Sequence, residues 1–238
     1  MTQIVTAWEI KYNLDRGIAE MNKLFLIVFG LFSAVHLWFS WNFNAKIRKC
    51  TKPFLILSLL GYYLTSTGKI DLTLVAALIF SWLGDFLLIN DSNKFFVAGG
   101  LSFAIGHIAF VLTYLKFINT ADLNWPLLII VSLIYCLVSF IVIREIKNNT
   151  PKSMVIPMYL YLIANSIMNV CALMMLFSTP SLASVLIYLG ALFFFCSDNV
   201  LFLAKYHTNT KLIYKNSFMI MLTYLLAQFL IVQGMLLY

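Results

Sequence analysis

Runs of predominantly apolar residues, each near the length that crosses a hydrocarbon core about 30 Å thick, follow one another along almost the entire chain. With charges, prolines and polar clusters as punctuation, eight spans are read: 23–41, 53–68, 72–90, 95–117, 126–143, 154–177, 183–204 and 217–237. The second is the weakest, because Lys52 and Lys69 bracket only 16 residues, and it is expected to be tilted or partly submerged. Composition agrees: 62% hydrophobic residues, 11% charged residues and a mean hydropathy of +0.93 exclude an ordinary soluble domain. The expected fold class is all-α, a polytopic transmembrane helical bundle over residues 21–238, with no room for a separate soluble domain.

An excess of 16 Lys and Arg over 9 Asp and Glu would suit nucleic acid, but these cations sit in short connections between apolar runs. They read instead as topology signals and phospholipid headgroup contacts, so the expected partner is the lipid bilayer and no nucleic acid. The connections at 42–52, 90–94, 144–153 and 205–216 must share one side and carry 11 Lys and Arg, against 5 on the other. Both termini are therefore expected outside, in an integral multi-pass protein of a bacterial inner (plasma) membrane. Residues 1–20 are polar and mixed in charge; they read as a dispensable tail or, alternatively, a helix on the headgroups. Cys136, Cys171 and Cys196 lie inside apolar runs and Cys50 in a basic connection, with no CxxC spacing, so neither a disulfide nor a metal site is expected.

Two acidic residues fall well inside spans, Asp85 in the third and Asp198 in the seventh. Each costs about 2.5–3.5 kcal/mol at mid-bilayer, and intramembrane ionisable groups of this kind mark functional sites. Their surroundings match without a gap: Leu78-Ile79-Phe80-Ser81-Trp82-Leu83-Gly84-Asp85 lies over Ala191-Leu192-Phe193-Phe194-Phe195-Cys196-Ser197-Asp198. At about 1.5 Å rise per residue, Asp85 sits about 7.5 Å and Asp198 about 10 Å from the same membrane face, one common level. Gly84 and Ser197 would let neighbouring helices approach there. The plainer alternative is that each Asp bonds a Lys, Tyr or Asn and only holds the bundle together.

Other polar residues share these spans. His107 is central in the fourth, where Gly99, Ser102 and Gly106 form a face suited to packing, and by itself it reads as a hydrogen-bonded core histidine. Asn165 and Asn169 stand one helical turn apart in the sixth, as Tyr224 and Gln228 do in the eighth, so each pair faces one direction. His36 and His207 have no such company and read as structural or solvated.

These residues resemble the YhhN-like lysoplasmalogenase family. The resemblance rests on Lys52-Pro53, Gly84-Asp85 with Leu87-Leu88, Gly99 through His107, Tyr161 with Asn165, Gly190-Ala191 through Ser197-Asp198, and Tyr224 with Gln228, and it covers nearly the whole chain from Met21. It implies an eight-helix membrane hydrolase that cleaves the vinyl ether bond of a lysoplasmalogen to a fatty aldehyde and a glycerophospho-base, with Asp85 and Asp198 in the active site. A vinyl ether hydrolyses through protonation of its terminal alkene carbon and capture of the oxocarbenium ion by water. One carboxyl is expected to remain protonated and the other to stabilise the cation and activate water, the division of labour seen in glycoside hydrolysis. His107, Asn165, Asn169, Tyr224 and Gln228 are candidates to orient water or the glycerol hydroxyl, and Lys52, with the basic stretch around Arg48, to hold the phosphate of a lysophospholipid. No cofactor is required.

Other classes of function fit less of the pattern. Paired intramembrane carboxylates also serve proton-coupled transporters, and the matched segments suggest a parallel four-plus-four repeat, but no Gly or Pro interruption recurs in the two halves. An intramembrane aspartyl protease would need a GxGD motif, where this chain has Trp82 at the first glycine position. A scaffold would tolerate loss of both carboxylates. The expectation that decides among these is spatial: two acids distant in sequence face one another across a shared cavity.

Overall fold

The structure, a computed structural model, describes the backbone of residues 2–209, 213 and 215–238, and their side chains except at 2–16, 19 and 122. Eight helices compose it, with no strand among the described residues: α1 (Thr2–Trp41), α2 (Ala45–Ser66), α3 (Leu72–Leu87), α4 (Asn93–Tyr114), α5 (Trp125–Ile146), α6 (Lys152–Ser178), α7 (Leu182–Tyr206) and α8 (Asn216–Leu236). Short polar side chains start several of them. Asn44 accepts a hydrogen bond from the Ile47 amide, Asp71 from those of Thr73 and Leu74, and Ser181 forms a reciprocal capping pair with Ser184.

Six helices of the described chain are long and apolar enough to cross a membrane: Glu20–Trp41, Asn93–Phe117, Trp125–Ile146, Lys152–Ser178, Leu182–Tyr206 and Asn216–Leu236. Two expected spans therefore need correction. The second is not a 16-residue stub, because the Asn44 cap starts α2 eight residues before Pro53 and makes the basic stretch from Lys46 to Lys52 its first two turns. Those cations, rather than its length, keep α2 below a spanning hydropathy. The short element is α3, whose 16 residues end at Leu87, ahead of the expected limit at residue 90. α1 runs unbroken past Glu20, and its side chains up to residue 16 lie outside the described residues, as does Lys211 in the last basic connection.

The neighbour relations close into a ring. α2 packs on α3, α3 on α4, α4 on α6, α6 on α7, α7 on α8, and α8 back on α2. Outside it, α1 lies against α2 and α8, and α5 against α6 and α7. Missing side chains let the ring close. A methyl group at Gly190 would stand 2.8 Å from the Ala227 carbonyl oxygen, and one at Gly234 2.7 Å from that of Ala183, so α7 and α8 touch backbone to backbone. On α3 and α4, Gly106 faces the Ala77 carbonyl, Gly99 the Gly84 carbonyl, and Ser102 donates to the Phe80 carbonyl at 2.7 Å.

The two ends of the bundle are stitched separately. At the basic end Lys49 meets Asp91 at 2.7 Å, Lys215 donates to the Trp41 carbonyl, and the Tyr206 hydroxyl reaches Met154 Sδ, which brings all four basic connections to one face. At the other end Lys116 pairs with Asp71 at 2.7 Å, and Ser178 exchanges hydrogen bonds with the Asn119 backbone. Partial burial pushes the Asp71 carboxyl up, but its hydrogen bonds to Lys116, Thr73 and the Leu74 amide outweigh this and hold it below the usual carboxylate range.

Candidate active site

Each ring helix sends at least one polar side chain inward at a common depth: Lys52 from α2, Asp85 from α3, His107 from α4, Tyr161 and Asn165 from α6, Asp198 from α7, Tyr224 from α8. Asp85 and Asp198 come from opposite members of the six-helix ring, and only 2% and 4% of their surfaces are exposed. At such burial a charge stands only if paired and hydrogen-bonded, so the partners of each carboxylate decide its state.

Those partners differ. Asp85 Oδ1 lies 3.2 Å from Lys52 Nζ, and Oδ2 accepts a 2.7 Å hydrogen bond from the Tyr224 hydroxyl across the ring. Asp198 Oδ2 accepts from Asn165 Nδ2 at 2.6 Å and stands 3.6 Å from His107 Nε2, and the Tyr161 hydroxyl faces the same carboxyl. Asn169 fixes the Asn165 amide: its Nδ2 donates to Asn165 Oδ1 at 3.0 Å, which turns the Asn165 Nδ2 towards Asp198. One carboxylate thus has an ammonium beside it, and the other has amide, phenol and imidazole.

Unmet hydrogen-bonding capacity surrounds the Asp198 half. Both ring nitrogens of His107 and Asn169 Oδ1 are buried without a hydrogen-bond partner, and His107 and Asn169 are each 0% exposed, while Gln228, equally buried, lies beside the Tyr224 hydroxyl. Orphaned buried polar atoms of this number are unusual in a chain under selection only for packing. Among the described residues no cluster of His, Cys, Asp and Glu has the arrangement of a metal site.

Where a cavity shared by the two acids was expected, aromatic rings stand. Phe194 packs on His107 at 4.8 Å between ring centres and on Tyr224 at 5.4 Å, and Phe103 packs on Tyr224 at 5.9 Å. A methyl group at Gly84 would meet the Phe103 ring at 2.5 Å, so the glycine before Asp85 makes room for that ring. Open space lies to either side. A polar vestibule of about 280 Å³ at the basic end is lined by Lys52, the partner of Asp85, and an apolar groove of about 220 Å³ in the wall of α4, α6 and α7 is lined by Tyr161, the partner of Asp198.

All eight residues singled out in the sequence, Asp85, Asp198, Lys52, His107, Asn165, Asn169, Tyr224 and Gln228, fall in or beside this cluster. Of the two readings of His36, the structural one holds: it is buried, with Nδ1 2.7 Å from Thr51 Oγ1. Phe103 and Phe194 have no site role in the sequence reading, and Tyr161 enters it only through the resemblance. A signal for Tyr161 existed, because it heads the stripe Tyr161, Asn165, Asn169 at four-residue spacing, whereas nothing separates the two phenylalanines from ordinary core.

No curated protein and no solved structure matches the chain. A protein-family model does, over residues 47–235, a stretch that takes in the ring from α2 to α8 and both buried carboxylates. The chain belongs to the YhhN family.

Proposed function

We propose that the protein is a membrane-embedded hydrolase that cleaves the vinyl ether bond of lysoplasmalogens, set in a bacterial plasma membrane with its basic end towards the cytoplasm. The observation that carries this reading is the unequal pairing of two carboxylates buried in one ring: Lys52 stands beside Asp85, and among the described residues no ammonium or guanidinium stands beside Asp198. Vinyl ether hydrolysis needs both a proton held ready and a negative charge held ready. Asp85 supplies the charge, and the unit of Asp198 with His107 3.6 Å away supplies the proton.

In the reaction, the alkene π pair takes the proton of the Asp198 unit at the carbon remote from oxygen, leaving an oxocarbenium ion that Asp85 stabilises. Water adds to the cationic carbon while Asp85 takes its proton, forming a hemiacetal. The carbon–oxygen bond to glycerol then breaks: Asp85 returns a proton to the departing glycerol oxygen, and the hemiacetal hydroxyl proton restores the Asp198 unit. The net change is lysoplasmalogen plus water to aldehyde plus glycerophospho-base. Tyr224 and Asn165 hold the two carboxylates in place, Asn169 offers an unpaired amide oxygen to water or the glycerol hydroxyl, and Gln228 acts from beside the Tyr224 hydroxyl. Since aromatic rings fill the space beside the pair, admission of the alkenyl ether requires Phe103 and Phe194 to turn aside.

Purified Asp85→Asn and Asp198→Asn proteins are expected to stay folded and to release aldehyde from a lysoplasmalogen at least about 100-fold more slowly than the native protein. In heavy water the native product should carry one deuterium on the carbon next to the carbonyl. Near-native rates in both variants, or an aldehyde without that deuterium, would end the proposal.

A further inference from the structure

Burial accounts for only one of the two ring nitrogens of His36, which belongs to the outer helix α1 and is 1% exposed. Nδ1 stands 2.7 Å from Thr51 Oγ1, and that hydroxyl spends its own proton on the Ile47 and Arg48 carbonyls of its helix, at 3.1 and 3.2 Å. The hydroxyl therefore accepts from Nδ1–H, and Nε2 is the bare lone pair of a neutral imidazole. Nε2 is buried and no hydrogen bond reaches it. A buried acceptor without a donor is a cost that a fold bears for a reason.

His36 lines a cavity of about 160 Å³ together with Arg48, Lys52, Asp91 and Met221, with exposed Ala45 at its mouth. Charge there is answered. Lys52 pairs with Asp85, and Lys49 at 2.7 Å, aided by the charges of Lys205 and Arg48, holds the Asp91 carboxyl below the usual carboxylate range. Hydrogen bonding is not answered, because Arg48 Nε is a second buried atom without a partner, a donor where His36 Nε2 is an acceptor. An orphaned donor and an orphaned acceptor on one cavity, beside an ammonium, call for a small neutral molecule that both accepts and donates. Water is that molecule: its oxygen takes the Arg48 Nε–H and a Lys52 proton, one hydrogen goes to His36 Nε2, and the other is free to continue a chain. At roughly 30 Å³ for each water the cavity holds several.

We infer that this cavity is the inlet by which the hydrolytic water reaches Asp85, and that His36 is a positioning residue whose Nε2 holds the innermost water against Lys52. The inference rests on the hydrolase reading, in which each turnover consumes one water at Asp85 and releases no net proton. The inlet is built from α1, α2 and α8 and meets the ring at Lys52, on the Asp85 side. The apolar groove opens through α4, α6 and α7 and meets it at Tyr161, on the Asp198 side. Water entering at the basic end is thereby led first to the carboxylate that activates it, away from the one that keeps its proton.

Two measurements on the purified protein test this. In heavy water, an oxocarbenium ion that loses its proton again before water captures it leaves deuterium on the alkene carbon remote from oxygen in recovered lysoplasmalogen. The ratio of this exchange to aldehyde release therefore reports how promptly water arrives. His36→Leu should release aldehyde about tenfold more slowly, the rate equivalent of one hydrogen bond, and raise the ratio by about the same factor. His36→Gln, which keeps an acceptor at that reach, should recover most of both changes, and Ala45→Trp, which plugs the mouth and leaves His36 in place, should behave like His36→Leu. A variant that merely packs α1 less well slows exchange and release together, so an unchanged ratio in both His36→Leu and Ala45→Trp would overturn the inlet. Hydroxyl-radical labelling by a brief X-ray pulse reads the water without turnover: His36 should be oxidised despite its 1% exposure, and Ala45→Trp should suppress that label about tenfold. An unlabelled His36 in the native protein would overturn the inlet whatever the rate of aldehyde release. A labelled His36 in a native protein that releases no aldehyde would sink the hydrolase reading and leave the wet cavity standing.

Discussion

Lys52 has two neighbours that make opposite demands on it, the buried carboxylate of Asp85 and the open vestibule. Replacing it with Met keeps the length and packing of the stem but strands Asp85 at 2% exposure. Breaking one half of such a buried pair costs about 3–5 kcal/mol, so Lys52→Met should melt well below the native protein. Adding Asp85→Leu removes the stranded charge and should recover most of that loss without recovering aldehyde release, whereas a double variant as unstable as the single one would show that Lys52 does not serve Asp85. At this scale charge was the legible part. Asp85 and Asp198 stand out because a carboxylate in an apolar run has a cost that demands a reason. Phe103 and Phe194 carry no such cost, and their place beside the pair is visible only once α4 and α7 face each other.

Helix existence was legible and helix limits were not. Each of the eight expected apolar runs corresponds to a helix, but the lysines at the start of α2 read in the sequence as a connection, because a helix emerging from a membrane and a loop outside it tolerate the same cations. The small residues are more informative about packing than about limits. Gly190 lets α7 lie on the backbone of α8, and through that contact Tyr224 is held at the distance from which it reaches Asp85. Gly190→Leu would drive a side chain into the Ala227 carbonyl and Ile231, at a cost of about 1–3 kcal/mol in melting experiments and with a disproportionate loss of turnover. Gly30→Leu on the outer helix α1, where nothing lies within 4 Å of an added methyl group, should change stability by less than about 0.5 kcal/mol and serves as the matched control.

Across the whole molecule, the matched segments around Asp85 and Asp198 occupy equivalent places: α3 between α2 and α4, and α7 between α6 and α8, each the middle helix of a three-helix half of the ring. The sequence match could suggest a repeat, but the closing of the halves into one ring depends on α4 meeting α6 and α8 meeting α2, contacts that no local pattern announces. Sidedness can be checked with a native probe. Cys50 is exposed in the second turn of α2 at the basic end, while Cys136, Cys171 and Cys196 sit within the long apolar helices. A membrane-impermeant maleimide should therefore label Cys50 in inverted vesicles and not in intact spheroplasts, and Cys50→Ser should abolish the signal; labelling from outside would reverse the orientation. The brevity of α3 bears on how such a protein meets its surroundings. Sixteen residues rise about 24 Å, short of the roughly 30 Å of oily interior, a mismatch that a bilayer meets by thinning or by flanking polar residues reaching to the interface. Asp85 stands two residues from the end of this short helix at Leu87, so thinning of the bilayer at α3 would bring the water-facing surface nearer to a buried carboxylate than the length of the neighbouring helices would suggest.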